Sequence, residues 1–137
     1  MIENHFTSGN HRWNDTMTFE TMRLCRKQFG TCNFIFASKL PNEQFMDNGV
    51  VSCKQLTVRQ TALMNNYSDL FVGVGSGISV ATSCWGNKPT PKIQFTGSFI
   101  CSTVSLANGP IEFIDYDYKP EAEKEYYTKL EVMLAKI

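Results

Sequence analysis

Apolar positions in this chain switch repeatedly between a helical period and short continuous runs. Met17, Phe19, Met22, Leu24, Cys25 and Phe29 recur at helical spacing, with Arg23, Arg26 and Lys27 off that face. Asn14 or Asp15 can cap this predicted helix, and Gly30 ends it. Phe34-Ile35-Phe36-Ala37, within 33–38, reads as a buried strand, and Val50 to Cys53 as a second. Pro41 and Asn48-Gly49 mark 39–49 between them as a loop. Thr57 can cap a helix carrying Val58, Thr61, Ala62 and Met64. Leu70 to Val74 is a strand, and Ile78, Ala81 and Trp85 then return to helical spacing. After a turn at 86–91, Lys92 to Phe95 forms a strand. Residues 96–110 read as a small, polar loop with a helical turn near 103–107, and Ile111 to Ile114 as the last strand. Pro120 opens a terminal helix to Lys136 whose apolar side is Leu130, Val132, Met133 and Leu134.

Strands alternating with helices at this spacing predict an α/β fold: a Rossmann-like, mostly parallel sheet with helices on both faces. The 137 residues suit a single domain, 1–137. A doubly wound half opens on a strand, and only Met1-Ile2 precedes the first loop. The expectation is therefore a first strand of two residues, or one truncated from a longer protein.

The stretch Asp69-Leu70-Phe71-Val72-Gly73-Val74-Gly75-Ser76-Gly77-Ile78-Ser79 organises the chain. A strand that breaks on glycine and restarts as a helix leaves backbone N–H groups pointing from the helix N-terminus, where an anion is favoured. Gly75 and Gly77 allow close approach, and Ser76 or Ser79 can cap the helix or donate a hydroxyl. A phosphate site and a purely structural turn both fit this pattern. The loop lacks the lysine of GxxxxGK[ST], and its glycines do not fit GxGxxG.

Composition narrows the partners. Lys plus Arg equals Asp plus Glu at 13 each, so no excess charge points to nucleic acid or a membrane surface. No apolar run has the length of a membrane span. Five cysteines, an odd number without CxxC spacing, fit free thiols in a reducing, cytoplasmic setting, and no zinc site is expected.

In open α/β sheets ligands bind beyond the carboxyl ends of the strands, which directs attention to the loops there. Thr7-Ser8-Gly9 with Arg12 offers a hydroxyl, free backbone N–H and a cation, suited to a phosphate or to an ordinary polar loop. Lys54 to Thr57 follows a strand at the same edge. His5 and His11 lack a third ligand, and Asp115 and Asp117 read as a solvated turn. Trp13 and Trp85 are expected in the core. No catalytic acid/base pair is identified.

With these residues in hand, the chain resembles the C-terminal, donor-binding half of GT-B glycosyltransferases, nearest the heptosyltransferase-like (family 9) group. The resemblance runs through Glu3-Asn4-His5-Phe6-Thr7-Ser8-Gly9 with Arg12-Trp13-Asn14, through Leu56 to Met64, and through Asp69 to Ser79, within residues 1–110. It implies half of a GT-B fold and a nucleotide-sugar donor. The diphosphate would sit on Gly75, Ser76, Gly77 and Ser79, with Ser8, Gly9 and Arg12 approaching and Lys54 and Thr57 near the base. It also implies metal-independent transfer with no required cofactor, and an N-terminal acceptor domain as partner for catalysis. The surface where that domain would dock could instead pair two copies as a homodimer. Ile78-Ser79-Val80 stands where that family usually carries a histidine.

Two other readings stay open. One is a non-catalytic nucleotide-binding or protein-interaction module, which fits the missing acid/base pair. The other is a sugar-phosphate isomerase-like enzyme, since Val72 to Gly77 is also similar to the glycine loop of ribose-5-phosphate isomerases. That family's Asp-Gly-Ala-Asp segment does not occur here.

Overall fold

A computed structural model describes residues 1–4, 13–37, 49–84, 86–96, 110–115 and 121–137. Six strands form one parallel sheet: β1 (Ile2–Glu3), β2 (Phe34–Phe36), β3 (Val50–Ser52), β4 (Phe71–Val74), β5 (Lys92–Thr96) and β6 (Ile111–Asp115). Their order is β3-β2-β1-β4-β5-β6. This is the doubly wound, Rossmann-like order, and its reversal falls between β1 and β4. The expected α/β class holds, and the sheet is wholly parallel. The opening strand is two residues long, with Ile2 beside Val72 and Glu3 beside Gly73.

Among the described residues, four helices cover the sheet: α1 (Asp15–Phe29), α2 (Val58–Met64), α3 (Gly77–Thr82) and α4 (Ala122–Leu134). Asn14 caps α1 by accepting from the Met17 N–H. Gly30 ends it with φ of 74°, a conformation that favours glycine. A 3₁₀ turn, Asn65–Tyr67, extends α2 toward β4. α1 packs with α4 on one face, and α2 with α3 on the other.

Strand alternation sorts side chains between these layers. Ile2, Phe34, Phe36, Val72, Val74, Ile93, Phe95 and Ile114 face α1 and α4 in one apolar core. Trp13 joins it edge-on to Phe95 and Tyr126, with ring centroids 5.3 and 5.4 Å away, so its expected core role holds. The opposite core is smaller: Met1, Ile35, Ala37, Cys53 and Phe71, with Met64 and Ile78 against them. Buried polar residues fill out that side, among them Thr82 and Lys92.

Two helical stripes differ from the pattern read in the sequence. Thr18 and Thr21 are buried on α1, whereas Phe29 is exposed at its end. Hydrogen bonds explain the threonines: Trp13 Nε1 donates to Thr18 Oγ1 at 2.8 Å, and Thr21 Oγ1 lies 2.6 Å from the Tyr126 hydroxyl. On α4, Leu130, Met133 and Leu134 are buried but Val132 is half exposed, because it lies off the sheet-facing stripe. The expected helical turn at 103–107, Trp85, and most of the 39–49 loop lie outside the described residues.

Candidate functional site

The strand order reverses between β1 and β4, which pair as far as Glu3 and Gly73, and the carboxyl edge at such a reversal is the usual ligand position in open α/β sheets. The glycine turn stands at this point, because Gly75 and Ser76 directly follow β4. Gly75 N–H donates to Phe95 O at 2.8 Å, which ties the turn to the end of β5.

Local chemistry explains how α3 begins. Ser76 is its N-cap, and its hydroxyl accepts from the Ser79 N–H at 3.2 Å. Ser79 answers by accepting from the Ser76 N–H at 2.9 Å and donating to Ser76 O at 2.7 Å. This capping box uses both hydroxyls that the sequence offered to a ligand. Ser79 is buried, Gly75 and Ser76 are half-buried, and Gly77 is exposed. Gly77 and Ile78, first in the helix, keep N–H groups without an intrahelical acceptor. α3 has only six residues, so its dipole adds little beyond these N–H groups.

Gly73 and Gly77 do different work. A Cβ on Gly73 would lie 2.4 Å from Glu3 O and 2.7 Å from Glu3 Cβ, so Gly73 lets β1 and β4 meet. A Cβ on Gly77 would meet nothing within 4 Å, so the backbone there is open to an approaching group.

Among the described residues, α1 and α3 are the helices that follow β1 and β4, the strands on either side of the reversal. Asp15 occupies the first turn of α1, which disfavours an anion there, whereas the first turn of α3 has no acidic residue. The electrostatics therefore favour α3 for a phosphate.

Lys54 and Thr57 follow β3, three strand spacings from β4, or roughly 14 Å along the sheet edge. Lys54 is exposed. Thr57 caps α2 in a second capping box: the Gln60 N–H donates to its hydroxyl at 3.3 Å, and its own N–H donates to Gln60 Oε1 at 2.9 Å. Its hydroxyl is thus engaged in starting a helix. Ser8, Gly9 and Arg12, and with them His5 and His11, lie outside the described residues. The structure thus gathers Gly75, Ser76, Gly77 and Ser79 in one turn, with Lys54 and Thr57 at a separate position on the same edge.

Sequence reasoning gave no role to Glu3, which is fully buried at the carboxyl end of β1 against Gly73. A carboxylate in an otherwise apolar Met-Ile-Glu run is the signal that could have marked it. Among the described residues, no group of three His, Cys, Asp or Glu side chains could hold a metal ion. No described helix is long and apolar enough to cross a membrane.

Comparison with protein-family models, curated proteins and solved structures finds no match to this chain.

Proposed function

We propose that this chain binds the diphosphate of a nucleotide sugar at the β4–α3 turn and serves as the donor-binding half of a glycosyltransferase. One observation carries the proposal: the glycine turn stands where the strand order reverses, with the Gly77 and Ile78 N–H groups at the start of an acid-free helix. The nucleotide end of the ligand would run along the sheet edge toward Lys54, and roughly 14 Å accommodates a nucleoside diphosphate lying across β1 and β2. Hydrogen bonds to the diphosphate would stabilise it as a leaving group, without a base from this half. Sugar transfer then depends on an acceptor domain that supplies the base.

A binding module without catalysis is the second reading. It is favoured by both capping boxes, which commit Ser76, Ser79 and Thr57 to helix starts rather than to a ligand.

Calorimetric titration tests the proposal with GDP, UDP, ADP and their sugar conjugates against wild type, Ser76→Asp and Gly77→Ala. Aspartate caps a helix about as well as serine, so Ser76→Asp keeps α3 while adding a negative charge beside the phosphate position. Gly77→Ala adds a methyl that touches no protein atom and projects into the approach. Saturable wild-type binding, weakened at least tenfold by both substitutions, is expected. Absence of binding, or binding that neither substitution alters, would sink the diphosphate site.

A further inference from the structure

Among the described residues, three buried side-chain atoms have no hydrogen-bond partner: Asn4 Oδ1, Asn65 Oδ1 and Ser68 Oγ. Asn4 follows β1 at the carboxyl edge, beside the site already described. Asn65 and Ser68 lie elsewhere, between α2 and β4 at the amino end of the sheet.

Local geometry brings these two residues together. Asn65 opens the 3₁₀ turn, and Ser68 is its C-cap. A 3₁₀ helix repeats every three residues, so side chains at i and i+3 eclipse. Burial follows that period: Asn65 is 0% exposed and Ser68 5%, whereas Tyr67 between them is 80% exposed. The Ser68 N–H donates to Asn65 O at 3.0 Å, which holds one residue above the other. The Asn65 side chain is anchored as well, because its Nδ2 donates to Thr90 Oγ1 at 3.2 Å. Thr90 Oγ1 places its own proton on Lys88 O at 3.3 Å, so toward Asn65 it accepts. That sets the orientation of the amide and leaves Oδ1 as the atom without a partner.

We infer that one ordered water molecule bridges Asn65 Oδ1 and Ser68 Oγ, so that a chain from Ser68 through the water, Asn65 and Thr90 ties the end of α2 to the segment entering β5. Hydrogen-bond chemistry selects that ligand. Asn65 Oδ1 only accepts, and the Ser68 hydroxyl donates or accepts. Water donates to the first and meets the second in either sense. An anion would be repelled by the amide oxygen. A cation would be repelled by two ammonium groups: Lys88 Nζ donates to Ser68 O at 3.0 Å, and Lys92 Nζ to Thr90 O at 3.5 Å. An unpaired buried polar atom costs its full desolvation, and ordering one water costs less. Internal waters accordingly lodge where otherwise unpaired polar groups converge. This position is at the edge away from the proposed ligand, so the inference stands whether or not a nucleotide binds.

Oxygen-17 relaxation dispersion, which counts long-lived internal waters, tests this on the full chain. The double substitution Asn65→Leu, Ser68→Ala should hold one fewer such water than wild type. Denaturant unfolding of Ser68→Ala is the second readout, in a variant that loses only a hydroxyl and decides the matter even if the double variant does not fold. A water-bonded hydroxyl stabilises the fold, so its removal should raise the unfolding constant by about threefold or more. Removal of a dry, unpaired hydroxyl would instead relieve a desolvation cost and lower that constant. An unchanged number of long-lived waters overturns the inference, and so does an unfolding constant that falls or stays the same in Ser68→Ala.

Discussion

At the scale of single residues, close approach and burial decide which side chains matter. Gly73 is irreplaceable for packing, because any Cβ there collides with the Glu3 backbone. Gly73→Ala should cost about 3 kcal/mol in chemical denaturation, the cost of overpacking a site that cannot yield. A loss under about 0.5 kcal/mol would show that β1 can shift to admit the methyl. Lys92 offers a different test. It is fully buried, with Nζ 3.4 Å from Thr82 O and 3.5 Å from Thr90 O, and it lies over the Phe71 ring. It supports the end of α3, where a cation suits the helix dipole. Burial lowers its pKa from 10.5 to about 8. A folded amine that holds its proton less tightly than the unfolded one gains stability as pH rises from about 8 to 10.5. The wild type should therefore gain on Lys92→Met by on the order of 2–3 kcal/mol across that window. Burial also raises the pKa of Cys25, to about 11, which pulls the other way above pH 9. That group is common to both proteins, so it cancels in the difference. Parallel stability-against-pH curves would remove Lys92 as the cause.

At the scale of elements, the two helical layers are unequal. α1 and α4, with 15 and 13 residues, lie on the larger apolar core. α2 and α3, with seven and six, lie on a smaller core filled out by buried polar groups such as Thr61, Thr82 and Gln94. Short helices depend on packing for their stability, and this layer has less apolar packing to supply it. Backbone amides of α2 and α3 should exchange with deuterium at least tenfold faster than those of the α1 and α4 interiors. Equal protection of both layers would mean that the sheet and all four helices open only together. The capping boxes explain why such short helices start where they do. Thr57 with Gln60 and Ser76 with Ser79 were half legible, since each cap could be read from its residue type. Their reciprocal hydrogen bonds were not, because either serine could equally have faced a ligand.

At the scale of the whole molecule, local pattern and long-range geometry contributed different things. Short apolar runs between helical stripes were enough for the α/β class, for β2 to β6 to within a few residues, and for the start of α1 at Asn14 or Asp15, whereas β1 was left open between a two-residue and a truncated strand. These features depend on neighbours a few positions apart, which a linear chain displays. The same locality located the glycine turn, since a strand breaking into a helix is written in consecutive residues. Strand order was not legible, because β1 lies between β2 and β4, which come more than thirty and nearly seventy positions later in the chain. Nor was the division of labour among the glycines: Gly73 serves contact with Glu3, a residue 70 positions away, while Gly77 faces open space. Burial of Lys92 and Glu3 was hidden for the same reason, since each is enclosed by strands and helices distant in sequence. The sequence by itself thus determined which segments fold into which elements, through periodicity and capping. Only the tertiary structure decided that the glycine turn stands at the strand-order reversal, because that position is a relation between segments brought together by burying both faces of one sheet.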